Sequence, residues 1–183
     1  MEINEIEQQL KSLQEQVNES KALHPKDQLS MIVFSGDMDK VLAAFIIAIG
    51  ARAMDIEVKM FFTFWGLSTL RAENKKASGK NFISKMFGFM LPKGVSKLKL
   101  SQMNMGGMGT SMIKSLMKKH KVASLEEMLK TAAELEVEID ICEMSMDLMG
   151  FKKEEIIDYN NLKYCGVGTF VADASESRIH LFI

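Results

Sequence analysis

Leu29-Ser30-Met31-Ile32-Val33-Phe34, closed by Ser35-Gly36-Asp37, is an apolar run of strand length stopped by a turn. From Met38 to Met54 the residues are helix formers and apolar nearly all round, with Asp37 placed to cap the first turn. Glu57-Val58-Lys59-Met60-Phe61-Phe62-Thr63-Phe64 reads as a second strand. A strand, a buried helix and a second strand make a right-handed βαβ unit, which implies a parallel sheet covered on both faces.

Downstream, Trp65-Gly66-Leu67-Ser68-Thr69-Leu70-Arg71 reads as a loop turning into a helix. Residues 72–110 are rich in Lys, Gly and Met and form an insertion, with a short helix at Asn81–Met90. Helices follow at Thr110–Lys119 and Leu125–Glu136, the second capped by Ser124. Val137–Cys142 is a short β-branched strand, and Met144–Met149 a helix. Short helices at Lys153–Ile157 and Gly166–Ala174 precede a final strand, Arg178–Ile183. This alternation predicts a three-layer α/β/α sandwich with a mostly parallel sheet of about five strands. The expected division is an N-terminal helix over 1–24 and an α/β domain over 28–183 carrying the insertion.

The N-terminal helix has its own pattern. Ile3, Ile6, Leu10, Leu13 and Val17 recur at alternating spacings of three and four among Glu, Gln, Lys, Ser and Asn. That is the a/d seam of a coiled coil, and Pro25 ends it. A seam this short needs a partner helix, which predicts a homo-oligomer. The alternative is an amphipathic helix packed on its own domain.

Composition narrows the function classes. Net charge is −1, which gives no electrostatic footprint for nucleic acid. Two Cys, Cys142 and Cys165, are too few for a disulfide framework and lack zinc spacing, so no metal site is expected. The apolar run Val41–Ala51 is too short to cross a bilayer and no signal pattern precedes it, so the expected location is the cytoplasm, with reduced thiols. The 16 Met suggest tolerant packing or an adaptable surface. Met103-Asn104-Met105-Gly106-Gly107-Met108 has no Cys or His beside it and is a poor copper site. Phe82 to Leu91, between Lys80 and Lys93, reads as a lid or subunit contact; peripheral membrane contact is the weaker reading, because Ser84 and Gly88 interrupt the apolar face.

Ligands in such sheets bind outside the carboxyl ends of the strands. Three ends are candidates: Ser35-Gly36-Asp37, Trp65-Gly66 and Cys142-Glu143-Met144-Ser145. The first lacks either glycine-rich phosphate pattern. Cys142 follows a strand and precedes a helix, where unpaired amides would favour a nucleophilic thiolate. Asp140 and Glu143 oppose that, and a packed, unreactive Cys is the other reading. Cys165 is a candidate resolving thiol if the fold brings it near Cys142.

Phe34–Phe45, Phe61–Leu67 and Cys142–Gly150 resemble, in this order, motifs of the DsrE/DsrF-like family, most closely its longer branch. The resemblance covers roughly Ser30 to Ile183. It implies a flavodoxin-like fold, homo-oligomers and a role in intracellular sulfur trafficking, with sulfane sulfur held as a persulfide on Cys142. It implies sulfur donor and acceptor proteins or small thiols as partners, and no cofactor. Whether sulfur is only carried or also turned over by a sulfurtransferase stays open, as does a non-enzymatic scaffold or ligand-binding module. The resemblance assigns no role to Cys165.

Overall fold

A computed structural model of the chain describes residues 3–23, 25–75 and 82–183. Five strands are described, β1 (Lys26–Val33), β2 (Glu57–Phe62), β3 (Glu138–Cys142), β4 (Leu162–Cys165) and β5 (Ser177–Phe182). They form one sheet in the order β4-β3-β2-β1-β5, and every pairing is parallel. The chain steps outward from β1 to β4 and then returns to place β5 beside β1.

The helices are α1 (Ile3–Leu23), α2 (Met38–Arg52), α3 (Phe82–Met90), α4 (Met108–Lys119), α5 (Leu125–Glu134), α6 (Glu143–Met149) and α7 (Val167–Glu176). α2 and α5 pack together on one face of the sheet, whereas α7 lies against β1 and β5 on the other. The two faces differ in chemistry. Leu29, Met31, Val33, Val58, Met60, Phe62, Ile139 and Ile141 point into one apolar core with Val41, Phe45 and Met128. The alternate positions of the same strands carry Gln28, Ser30, Lys59, Glu138, Asp140 and Cys142.

Some expectations are corrected. Asp37 occupies the position before α2, but its side chain makes no capping bond. It instead accepts from Ser35 Oγ at 2.9 Å and pairs with Lys40 at 3.0 Å. Ser124, by contrast, forms the full capping box with Glu127. Phe64–Leu70, expected as a loop turning into a helix, is a 3-10 helix that begins almost directly after β2. β4 has no counterpart in the sequence reading, because a four-residue edge strand containing Lys163 shows no apolar run.

Ile6, Leu10, Leu13 and Val17 on α1 are each about half exposed, so the described residues of this chain supply no cover for the seam. On α3, Phe82, Met86, Phe89 and Met90 share one exposed face. Gly88 does not interrupt that face as expected: its carbonyl accepts from Arg71 Nη2 at 3.0 Å on the packed side. Arg71, 2% exposed, also donates to the carbonyls of Leu91 and Pro92 at 3.2 Å each, and lies 4.6 Å from the Phe151 ring centroid. One buried guanidinium thus ties the insertion to the sheet domain. Lys80 and residues 76–81 around it lie outside the described residues, as does His24.

Candidate functional site at the carboxyl edge of the sheet

Parallel strands all end on the same edge, so the three predicted strand ends meet there. The loop after β1 and the turn after β2 are joined backbone to backbone. Gly66 N donates to Phe34 O at 2.8 Å, and a Cβ at Gly66 would stand 2.2 Å from Val33 O. A Cβ at Gly36 would stand 2.6 Å from Trp65 O. Both positions therefore require glycine for close approach. Ser35 Oγ also accepts from Asp37 N at 3.1 Å, which closes a small turn turned inward on itself. Trp65 is 44% exposed and forms part of the rim.

Cys142 ends β3, is 2% exposed, and is a free thiol. It occupies the cap position of α6, yet its side chain makes no capping bond to the helix amides. The expected contact with those amides is replaced by a different donor. Ser145, fully buried one turn into α6, donates from Oγ to Cys142 Sγ at 3.4 Å. Ser145 Oγ also lies 2.8 Å from Thr63 Oγ1. With the Ser145 proton directed at sulfur, Thr63 is the donor of that second bond. A relay of two hydroxyls thus runs from the end of β2 to the sulfur at the end of β3, with the polarity a sulfur anion accepts.

Glu143, one of the acidic neighbours, is exposed and pairs with Lys153 at 3.2 Å, so its charge is countered locally. Met144 is 61% exposed, whereas Met146 points into the apolar core. Thr63 is the residue the sequence reading missed, and its signal was its place at the end of an apolar strand.

Comparison with known proteins settles the family. The profile of the DsrE/DsrF/DrsH-like family matches residues 25–182. The chain belongs to the DsrE/DsrF/DrsH-like family.

It is 47% identical over 154 residues to the uncharacterized protein YrkE of Bacillus subtilis, an alignment covering 84% of this chain and 95% of that protein. It is 37% identical over 160 residues to the sulfur carrier protein DsrE2 of Allochromatium vinosum, covering 85% and 98% respectively. Among solved structures, the ychN protein from E. coli shares the fold with a TM-score of 0.53 at 9% identity, over 86% of this chain and 99% of that one. No helix among the described residues is long and apolar enough to cross a membrane.

In this DsrE-like sheet the face behind Cys142 carries a charged cluster. Glu138, Asp140 and Asp173 bring their carboxylates within 4.8 Å of one another. Lys59 answers them, 2.5 Å from Asp173 Oδ1 and 3.6 Å from Glu138 Oε1, and Lys163 lies 2.5 Å from Glu138 Oε2. Two ammonium groups thus balance two of the three carboxylates, Glu138 and Asp173. Among the described residues Asp140 has no direct ion pair, and its buried Oδ1 lacks a hydrogen-bond partner. Burial, reinforced by the Glu138 and Asp173 charges, pushes its carboxyl up to about 6. Cys165, level with Cys142 on β4, is pushed up to about 11, first by burial and then by the Asp140 charge. A separate cavity of about 640 Å³ between α4 and α5, with Lys114, Lys118 and Lys121 among its lining, contains none of these residues.

Proposed function

We propose that this chain is a sulfur carrier of a thiol relay, which holds sulfane sulfur as a persulfide on Cys142. The observation that supports this is the hydroxyl relay Thr63–Ser145 aimed at Cys142 Sγ, in a place closed to bulk water. Attack of the Cys142 sulfur on a polysulfide or protein persulfide forms a new S–S bond and expels a thiolate or shorter polysulfide. The Ser145 proton can then solvate the terminal charge of Cys142–S–S⁻, and an acceptor thiol takes the outer sulfur and regenerates Cys142. The name of the A. vinosum relative, a sulfur carrier protein, is consistent with this reading. Ser35, Gly36, Asp37, Trp65 and Gly66 form the adjacent wall against which a donor or acceptor would dock.

The test is intact mass after exposure of reduced protein to polysulfide. A gain of about 32 Da that disappears in Cys142→Ser supports the carrier, and an unmodified Cys142 refutes it. The exposed seam of α1 supports a second element of the proposal, a homo-oligomer joined by a short coiled coil. The exposed row Phe82, Met86, Phe89 and Met90 favours one further reading, a peripheral contact of α3 with a membrane surface, which liposome flotation tests directly.

A further inference from the structure

Cys142 and Cys165 are partners in the parallel ladder between β3 and β4. Neighbouring strands lie about 4.8 Å apart, inside the Cα separation that a disulfide spans. Residues paired this way project to the same face. Here Ile141 and Tyr164, the preceding pair, lie against the apolar core, so the two thiols share the opposite face. Both strands end at these residues, and the segment after β4 has room to give way. A Cβ at Gly166 would meet nothing within 4 Å, and α7 has no buried residue. The small shift that would bring the sulfurs into bonding distance is therefore opposed by little packing. Cys142 is buried and Cys165 only partly so.

We infer that Cys142 and Cys165 form an internal resolving pair: once Cys142 carries a persulfide, Cys165 displaces its sulfur as sulfide and the two cysteines close a disulfide. This rests on the carrier reading above. Cys165 Sγ attacks the inner sulfur of Cys142–S–SH, the atom the strand register places beside it. The Cys142 Sγ–sulfane bond breaks and the Cys142–Cys165 bond forms. The electron pair leaves on hydrosulfide, which takes the Cys165 proton and departs as hydrogen sulfide. The sulfane sulfur gains two electrons and the cysteine pair loses two. A dithiol reductant, of small-molecule or protein class, reopens the disulfide by exchange. On this inference the chain reduces the sulfur it receives, and it returns to the carrying state only when reducing equivalents are supplied.

The experiment compares full-length wild type, Cys165→Ser and Cys165→Ala after sodium tetrasulfide treatment and desalting, by non-reducing intact mass and colorimetric sulfide assay. Both variants are expected to keep the gain of about 32 Da. Wild type is expected to fall to about 2 Da below the reduced mass, releasing about one equivalent of sulfide and recovering on dithiol addition. Variants that load while wild type holds its extra sulfur equally long overturn the inference and leave the carrier reading standing. So does peptide mapping that finds the extra sulfur moved onto Cys165. Failure of both variants to load overturns the carrier reading and this inference with it.

Discussion

Replacing Asp140 with Asn removes a negative charge that the fold holds at a cost. The Asp140 carboxyl titrates near 6 in the folded chain against an ordinary value of 3.8, so the folded state binds its proton more tightly than the unfolded state does. The stability this provides is fully present below pH 4 and is lost as pH rises toward 6 and just beyond. At about 1.4 kcal/mol per tenfold change in acidity, the whole shift corresponds to a ceiling of ~3 kcal/mol. That shift already contains the opposing pull of Lys59 and Lys163, and solvent at the carboxyl edge screens part of the rest, so about 1–2 kcal/mol is expected. The Asn amide can donate to the Glu138 or Asp173 carboxylates, which keeps the substitution from leaving a new buried donor unpaired. Urea unfolding of both proteins at pH 4.5 and pH 8 checks this. Asp140→Asn should be more stable than wild type by about 1–2 kcal/mol at pH 8, with most of the difference gone at pH 4.5. Equal stability at pH 8, or the same difference at both pH values, would refute the electrostatic account of this face.

Ser145→Ala removes the donor at Cys142 Sγ and leaves Thr63 without its partner; persulfide formation from polysulfide should slow about five- to tenfold, read by stopped reaction and mass, with the fold intact by circular dichroism. Arg71→Ala leaves three carbonyls of the insertion and the buried Glu155 without the guanidinium, and should cost about 3–5 kcal/mol and open residues 82–92 to limited proteolysis. Leu10→Glu on the exposed α1 seam should weaken the proposed self-association at least about tenfold in sedimentation equilibrium, since each copy loses one Leu from the seam; unchanged mass means that the coiled-coil reading of α1 is wrong or that the sheet domain alone holds any assembly.

The apolar half of this fold was legible because its signal is local. Met31, Val33, Met60, Phe62 and Ile139 sit in short runs of strand length, and the near-uniform apolarity of Met38–Met54 marks a helix against a sheet face. β4 was not legible: four residues at an edge, half-buried and interrupted by Lys163, take their strand identity from β3 rather than from their own pattern. The same limit hid the pairing of Cys142 with Cys165, since register is a property of two segments 23 residues apart. Asp37 misled for a related reason. Its place before α2 fits a cap, yet Ser35 and Lys40 take its carboxylate, and the first α2 amide donates to Lys99 O from the insertion at 2.7 Å. Ser145 was named only as a neighbour of Cys142, while its contact with Thr63 depends on β2 and β3 lying side by side.

The two faces of the sheet divide the work. One face buries apolar side chains from every strand and supplies most of the stability, so the other need not be optimised for packing. On that second face Gln28, Ser30 and Ser177 satisfy one another near β5, while Lys59 and Lys163 balance the carboxylates near β3. Asp140 is the unbalanced member of this arrangement, two residues before one thiol and beside the strand of the other. Burial, and then the Asp140 charge, hold the Cys165 thiol above its ordinary range, while Cys142 faces a hydroxyl donor. Two cysteines in register are thereby made unequal by their surroundings. On the carrier proposal this inequality gives the pair a direction: sulfur would arrive at the thiol with the hydroxyl donor, and Cys165 would answer only afterwards. That order predicts a coupling between the charge cluster and the thiols. Since Asp140→Asn lowers the barrier to ionising Cys165, the closing of the disulfide should speed up in that variant, whereas the first loading of Cys142, which faces Ser145 instead, should keep its wild-type rate. Equal acceleration of both steps would mean that Asp140 acts on the whole edge and not on Cys165.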